Sequence, residues 1–166
     1  MPWTAKTKPE LFFIKFFTFC IKCIKNESSY QKKCYIRTMK KIRVAAAIIC
    51  KDGKVFAARR KGGTYDGFWE FPGGKIESGE TAEQALIREV REELNAEISI
   101  QSFFKRVRWE YPEFILSMDC FLCSLKTPAY ELCVHQDARW LDTTEINSVQ
   151  WLPADISIIE ELKTVL

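Results

Sequence analysis

The sequence predicts an α/β fold in which helices pack over a mixed β-sheet. Short apolar runs typical of strands alternate with two widely separated amphipathic segments, at residues 81–94 and 153–166. Strands and helices interspersed in this way favour a layered sandwich. A length of 166 residues with 47% hydrophobic side chains fits one globular domain with a single core.

The first predicted elements are a β-hairpin and a loop rich in glycine. Residues 44–49 and 54–58 are apolar runs, and Asp52-Gly53 between them is a turn signal. Residues 61–67 form the loop, and it leads into Phe-Trp-Glu-Phe-Pro-Gly-Gly at residues 68–74. The chain therefore enters its first helix from a second group of glycines.

The helix predicted at residues 81–94 has clear limits. Thr81 followed by Gln84 is a capping box, and Asn95 suits the left-handed position that ends a helix. Helical spacing puts one apolar sector towards the core. That sector contains Leu86, Ile87, Val90 and Leu94.

Further strands and a closing helix are predicted after Asn95. The strand candidates are residues 98–100, 103–109, 114–125 and 138–141. Residues 153–166 form the second amphipathic helix, and its spacing assigns four side chains to packing. They are Ile156, Ile159, Leu162 and Leu166.

Three carboxylates share one edge of the first helix. Glu89, Glu92 and Glu93 fall within about a third of the circumference at 100° per residue, and like charges this close repel one another. A hard divalent cation would relieve that repulsion. We expect Arg88, one turn before Glu92, to orient that carboxylate.

The surroundings of these carboxylates favour phosphate as well as metal. The preceding residues 73–80 combine two glycines with Glu77 and Glu80 just before a helix N-terminus. Ala82 and Ala85 lie beside the carboxylates and are small enough to let a bulky polyanion approach. A solvated acidic surface is the alternative interpretation of the helix, and the glycine-rich approach argues against it.

Charge is distributed unevenly along the chain. Residues 1–38 carry eight Lys and Arg against two Glu, whereas residues 39–166 carry 17 basic and 20 acidic side chains. Nucleic-acid-binding domains concentrate basic residues on the face that meets phosphates. The sequence therefore predicts no direct contact with nucleic acid.

The cysteines indicate a reducing compartment. The chain has seven of them, an odd number, in scattered positions unlike a disulfide-stapled secreted protein. Cys120 and Cys123 lie in the strand-like run 114–125, where positions three apart face opposite sides. We expect buried reduced thiols rather than a zinc site, and a cytoplasmic protein.

Residues 1–38 are treated as an extension that precedes the domain at 39–166. Residues 11–24 are the most apolar stretch, but they are too short to span a bilayer and are interrupted by Lys15 and Lys22. We expect synthesis to begin at Met39, with the preceding residues untranslated or disordered and making no membrane contact. A basic, aromatic anchor at the membrane surface is the alternative.

The chain resembles the Nudix hydrolases at one specific motif. Gly74 is followed after five residues by Glu80 and after seven more by Arg-Glu-Val-Arg-Glu-Glu at residues 88–93, which matches the family pattern except that Asn95 replaces a glycine. Arg59-Arg60, residues 69–74 and residues 151–156 extend the resemblance towards the MutT-like branch. It implies a Nudix-type α/β/α sandwich with an acidic catalytic helix after the glycine-rich loop.

The resemblance also implies a site, residue by residue. Mg²⁺, or Mn²⁺ as a substitute, would be held by helix carboxylates and the Gly74 carbonyl, with Arg88 in the catalytic set. Phosphates would contact Arg60 and Lys75, and the base would contact Phe71 and Asp155. The implied metal ligands are Gly74, Glu89, Glu92 and Glu93.

The implied activity is cleavage of a nucleoside triphosphate to the monophosphate and pyrophosphate, by a monomer or homodimer. An ionised Asp155 only accepts hydrogen bonds, so it favours a base edge that donates. Oxidised guanine and cytosine both offer one. An 8-oxo-dGTP diphosphatase that cleans the nucleotide pool is therefore the leading prediction, and a CTP or dCTP pyrophosphohydrolase is the alternative.

One departure from the family's relatives keeps a non-enzymatic alternative open. Val134 stands directly before His135, where relatives commonly have a glutamate. Valine neither binds metal nor takes a proton, so Glu77, Glu80, His135 or a helix carboxylate would have to replace that glutamate. A nucleotide-binding sensor with slow turnover, and His135 as an ordinary surface loop residue, are the corresponding alternatives.

Overall fold

The computed structural model describes residues 39–166. The strands are numbered β1 to β7 and the helices α1 and α2. In chain order the elements are β1 (Lys40–Lys51), β2 (Lys54–Arg59), β3 (Trp69–Glu70), β4 (Gly73–Lys75), α1 (Ala82–Leu94), β5 (Ile98–Glu110), β6 (Phe114–Leu125), β7 (Asp137–Leu141) and α2 (Pro153–Leu162).

Strand β1 joins two groups of strands. Its residues 40–49 pair in parallel with residues 114–123 of β6, and residues 44–46 pair antiparallel with β4. Only its last residues, Cys50 and Lys51, pair with β2, as the predicted hairpin requires. Strand β2 continues the second group with β3 and β7, and β5 follows β6 at the far edge. The sheet is therefore mixed, as predicted.

The side chains on the two faces of β1 pack into two different hydrophobic clusters. Ala46 and Ile48 belong to the cluster that contains α2, whereas Ala47 and Ile49 belong to the cluster that contains Leu86, Val90 and Leu94 of α1. Side chains alternate along a strand, so one strand supplies both cores. The helices thus lie on opposite faces, which confirms the predicted α/β/α sandwich.

The ends of α1 confirm the capping prediction. The Gln84 backbone N–H donates to the Thr81 hydroxyl at 3.2 Å, and the Thr81 backbone N–H donates to the Gln84 side-chain oxygen at 2.9 Å. Asn95 adopts φ 46° and ψ 40°, and its N–H donates to the Arg91 carbonyl. These contacts satisfy backbone groups that the helix leaves unpaired at its two ends.

Two side chains that were predicted to pack in the core, Ile87 and Ile156, lie on the exposed sides of their helices. Ile87 is 44% exposed, and Ala85 takes its place in the core. Ile156 is 56% exposed, and Ile158 is buried instead, since the buried stripe of α2 runs through Ala154, Asp155, Ile158, Ile159 and Leu162. Helix α2 also ends at Leu162 rather than at residue 166.

Other differences concern strand limits and cysteines. Residues 98–100 and 103–109 belong to one strand, β5, whose pairing with β6 shifts register twice. Cys120 and Cys123 lie in the two different core clusters, on opposite faces of β6 as predicted. The predictions for residues 1–38, including an anchor at 11–24, lie outside the described residues. Among residues 39–166, no helix has the length and hydropathy to cross a bilayer.

Candidate active site

The site is built where β4 passes the start of the acidic face of α1. Gly74 pairs with Ala45 of β1, and a Cβ added at Gly74 would lie 2.3 to 2.5 Å from the carboxylate of Glu89. Only glycine therefore leaves room for Glu89 against this backbone. The neighbouring Gly73 N–H donates to Glu93 Oε2 at 3.0 Å. Two of the three predicted carboxylates thus meet the glycine-rich strand.

The third carboxylate is placed differently. The Glu92 side chain is 60% exposed, and its contact is with Arg88 at 3.5 Å. Within residues 39–166, no three His, Cys, Asp or Glu side chains come together closely enough to hold a metal ion by themselves. The assignment of Glu89, Glu92, Glu93 and Gly74 to a metal stays a prediction.

The donor set nevertheless suits a hard divalent cation. Carboxylate and carbonyl oxygens are the ligands such ions prefer. Burial raises the pKa of Glu93 to about 7, although the charge of His135 and the Gly73 amide both oppose the shift. The raised pKa shows that these partners do not fully compensate the charge of the partly buried Glu93 carboxylate, and a cation would do so.

Arg88 joins the loop to the helix instead of acting mainly on Glu92. Its Nε and Nη2 donate to the two oxygens of Glu80 at 2.8 and 3.0 Å, and Nη2 also donates to the Lys75 carbonyl at 2.9 Å. Its Nη1 donates to Glu89 at 2.9 Å. The hydrogen bond from Arg88 lowers the pKa of Glu80. Arg88 thereby orients Glu89, and its contact with Glu92 is the longest of the set.

One predicted approach route was wrong. Ala85 is completely buried against the core and cannot admit a polyanion, and Ala82 packs partly against the same cluster. The small side chains serve close packing of α1 on the sheet.

A cavity of about 250 Å³ brings the predicted contacts for phosphate and base together. Its lining includes every residue predicted for those two roles, and it also includes Gly74. These residues are Arg60, Phe71, Lys75 and Asp155. Tyr65, Glu70 and Tyr111 line the same cavity and were not predicted from the sequence. The glycine-rich loop carrying Tyr65 and the Trp-Glu pair at 69–70 were visible signals for two of them.

Three of the side chains that line this cavity are themselves buried, namely Phe71, Tyr111 and Asp155. Phe71 packs on Trp151 with ring centroids 4.7 Å apart. Asp155 is only 3% exposed, and its burial, followed by the negative charge of Glu70, raises its pKa well above the usual value. Burial and the nearby Asp155 likewise raise the pKa of Tyr111 to about 12. Burial thus favours the neutral form of the Asp155 carboxyl, which donates as well as accepts, and the role of Asp155 as a purely accepting contact for the base stays a prediction.

His135 is buried beside the same site, so its interpretation as a surface residue was wrong. Its side chain is 3% exposed, and its Nε2 lies 3.1 Å from Glu70 Oε1. Glu70 Oε2 in turn accepts from Arg60 Nη1 at 2.6 Å. Val134, by contrast, is exposed.

Comparisons with known proteins identify the family of the chain. The NUDIX domain model matches residues 39–163. The chain is 35% identical over 123 residues to a CTP pyrophosphohydrolase of Escherichia coli, which covers 74% of this chain and 91% of that protein. It is 32% identical over 127 residues to an 8-oxo-dGTP diphosphatase of the same organism, covering 75% and 98%.

Solved structures show the same likeness. The solution structure of the E. coli ORF135 protein superposes with a TM-score of 0.67 at 32% identity, over 78% of this chain and 93% of that one. A MutT structure, from a study of the Aliivibrio salmonicida and Vibrio cholerae proteins, superposes with a TM-score of 0.64 at 27% identity. It covers 76% of this chain and all of the other.

Proposed function

The chain belongs to the Nudix hydrolase family, and from that premise we propose that it cleaves 8-oxo-dGTP to 8-oxo-dGMP and pyrophosphate, with a divalent metal ion such as Mg²⁺. The observation that carries the proposal is the single cavity lined by Asp155 and Phe71 as well as by Arg60 and Gly74. A nucleotide has an aromatic base at one end and a polyanion at the other, and this lining suits both.

Asp155 is proposed to recognise the base through a neutral carboxyl. A protonated carboxyl offers one O–H donor and one accepting oxygen. Oxidised guanine presents an N7–H donor beside the O6 acceptor, so both groups find partners. Ordinary guanine presents two acceptors there, and one oxygen of the carboxyl would face a lone pair. Phe71, which packs against Trp151 with a ring tilt of 33°, supplies the apolar surface on which the base stacks.

Arg60 and Lys75 are proposed to bind the phosphates. The Arg60 Nε atom is buried and has no hydrogen-bond partner, although its Nη1 is engaged by Glu70. A buried donor without a partner favours an incoming oxygen atom. The planar guanidinium suits phosphate oxygens, and Lys75 adds a positive charge at the edge of the same cavity.

Glu89, Glu92 and Glu93, with the Gly74 carbonyl, are proposed to hold the metal. When bound, such an ion neutralises charge on phosphoryl oxygens and acidifies a water molecule for attack. The chain's own contribution is orientation. Arg88 fixes Glu89, and the Gly73 amide fixes Glu93. Glu92 is exposed and is the ligand with most freedom to adjust.

A pyrimidine nucleotide is the second candidate. The relative named CTP pyrophosphohydrolase is 35% identical over most of this chain. Cytosine presents an amino donor beside a ring-nitrogen acceptor, which a neutral Asp155 carboxyl also satisfies. The two candidates differ in size, since the purine fills more of the space next to Tyr65 and Tyr111.

The test is a comparison of kcat/KM for 8-oxo-dGTP, dGTP, dCTP and CTP with Mg²⁺, measured from released pyrophosphate. The proposal expects 8-oxo-dGTP to exceed dGTP by at least about tenfold, the effect of one well-placed hydrogen bond. Asp155→Ala should remove that ratio. A higher kcat/KM for CTP or dCTP would move the assignment to the second candidate, and nucleotide binding without turnover would overturn both.

A further inference from the structure

A hydrogen-bonded chain of three side chains connects Arg60 to the buried His135. Glu70 stands in the middle, with Oε2 accepting from Arg60 at 2.6 Å and Oε1 at 3.1 Å from His135 Nε2. A carboxylate accepts but does not donate, so the proton of this bond belongs to His135 Nε2. The imidazole is thereby held with Nε2–H directed at Glu70.

The segment that carries His135 is tied at both ends to the candidate site. The Cys133 N–H donates to the Glu93 carbonyl at 2.9 Å, at the end of α1. The Gln136 N–H donates to the Arg59 carbonyl at 2.9 Å, and the Gln136 side-chain amide donates to the Arg60 carbonyl at 2.5 Å. Residues 133–136 therefore bridge the carboxylate helix and the end of β2, with His135 as the buried side chain between them.

Two buried side-chain atoms among residues 39–166 have no hydrogen-bond partner, and both belong to this chain of contacts. They are Arg60 Nε and His135 Nδ1. A second cavity, of about 170 Å³, lies at this point and is lined by Arg60, Lys61, Glu70, Glu93, Val134 and His135. Unpaired buried polar atoms are rare in folded proteins, and they concentrate at sites that bind something. Here the two unpaired atoms belong to Arg60 and His135, the two ends of the hydrogen-bonded chain through Glu70.

We propose that His135 is a positioning residue that holds Glu70, and through Glu70 holds the Arg60 guanidinium in the orientation that binds substrate phosphate. The inference rests on the proposed function, because it takes Arg60 as a phosphate ligand. Glu70 occupies Arg60 Nη1 and leaves Nε unpaired. Without the hydrogen bond from His135, the Glu70 carboxylate would be free to turn, and Arg60 would lose its fixed direction.

The first experiment is spectroscopic and needs no enzyme activity. His135 is the only histidine in the chain, so every imidazole signal belongs to it. Long-range ¹H–¹⁵N spectra of its imidazole report which ring nitrogen carries the proton. At about pH 8, where an ordinary imidazole is neutral, the proposal expects a proton on Nε2 and a clear shift of that signal in Glu70→Gln. A proton on Nδ1 alone, or no response to Glu70→Gln, would overturn the proposal even if the enzyme cleaves nucleotides.

The second experiment uses three variants that differ in the atom offered to Glu70. Gln places an amide nitrogen near the position of Nε2, Asn places one near Nδ1, and Leu offers none. With Mg²⁺ and the best nucleotide of the panel, His135→Leu and His135→Asn should raise KM about tenfold and change kcat less than about threefold, the loss expected for one hydrogen bond to a charged group. His135→Gln should stay within about threefold of wild type in both constants.

Two controls separate positioning from damage to the fold. Cys133→Ser changes an exposed side chain in the same segment and should leave KM, kcat and the urea midpoint unchanged. In an Arg60→Ala background, His135→Leu should raise KM no further, because its effect passes through Arg60. Equal losses in the Gln and Leu variants, or a full further loss in the Arg60→Ala background, would refute the positioning role. Absence of turnover in wild type would instead count against the proposed function.

Discussion

Replacing the partly buried Glu93 with glutamine should stabilise the metal-free protein while removing activity. Burial raises the pKa of Glu93 from 4.5 to about 7. An acid with a raised pKa in the folded state costs stability only when it is ionised. The cost is absent below about pH 4.5, grows between the two values and is complete above about pH 7.

The size of the effect follows from that shift. Each pKa unit corresponds to about 1.4 kcal/mol, so the ionised carboxylate costs about 3 kcal/mol at pH 8 and under about 1 kcal/mol at pH 5. Glutamine keeps an oxygen that can accept from the Gly73 N–H. Its new amide protons need partners, which offsets about 1 kcal/mol. We expect Glu93→Gln to gain about 2 kcal/mol at pH 8 and almost nothing at pH 5.

The assay is urea unfolding in EDTA at both pH values, with Glu92→Gln as the matched control. Glu92 lies on the same helix but is exposed, so its neutralisation should change the free energy of unfolding by less than about 0.5 kcal/mol. Mg²⁺ should raise the Tm of wild type more than that of Glu93→Gln. If both variants gain the same stability, or Glu93→Gln gains none at pH 8, burial is not the origin of the Glu93 shift.

The other predictions concern backbone and packing. Gly74→Ala should lower kcat/KM at least about a hundredfold with an unchanged far-UV spectrum, because the new Cβ displaces the Glu89 carboxylate. Asn95→Gly should unfold at the same urea concentration as wild type, whereas Asn95→Ala should lose about 1 kcal/mol, since only alanine pays for the left-handed conformation. Ile158→Ala should cost about 2 to 5 kcal/mol in urea unfolding, against less than about 0.5 kcal/mol for Ile156→Ala; similar values for these two would contradict the observed face of α2.

Local rules explain why much of the fold could be predicted from the sequence. The capping box at Thr81 and the left-handed Asn95 depend on neighbouring residues only, so both ends of α1 follow from the sequence around them. Strand β6 is a mainly apolar run, and alternation correctly separates Cys120 from Cys123. Within the candidate site, the spacing of Glu89 and Glu93 on one helix edge is equally local.

Long-range contacts explain what could not be predicted. Helix α2 has isoleucines on more than one side, and its buried stripe includes Asp155, a residue type that hydropathy assigns to the surface. His135 follows an exposed valine in a loop without periodicity, and its burial depends on contacts with residues 59, 60, 70 and 93. Glu92 is left exposed because Arg88 donates two of its hydrogen bonds to Glu80, which lies outside the helix.

The pairing of β1 with β6 determines when the sheet of this protein can fold during synthesis. Residues 40–49 form their parallel ladder with residues 114–123, so no part of that ladder can form until residue 114 has left the ribosome. By then α1, with its three carboxylates, has already left the ribosome without the sheet on which it packs. Folding is therefore governed by a contact distant in sequence, which slows it relative to helical proteins. A released chain that ends before residue 114 should remain open to protease along α1.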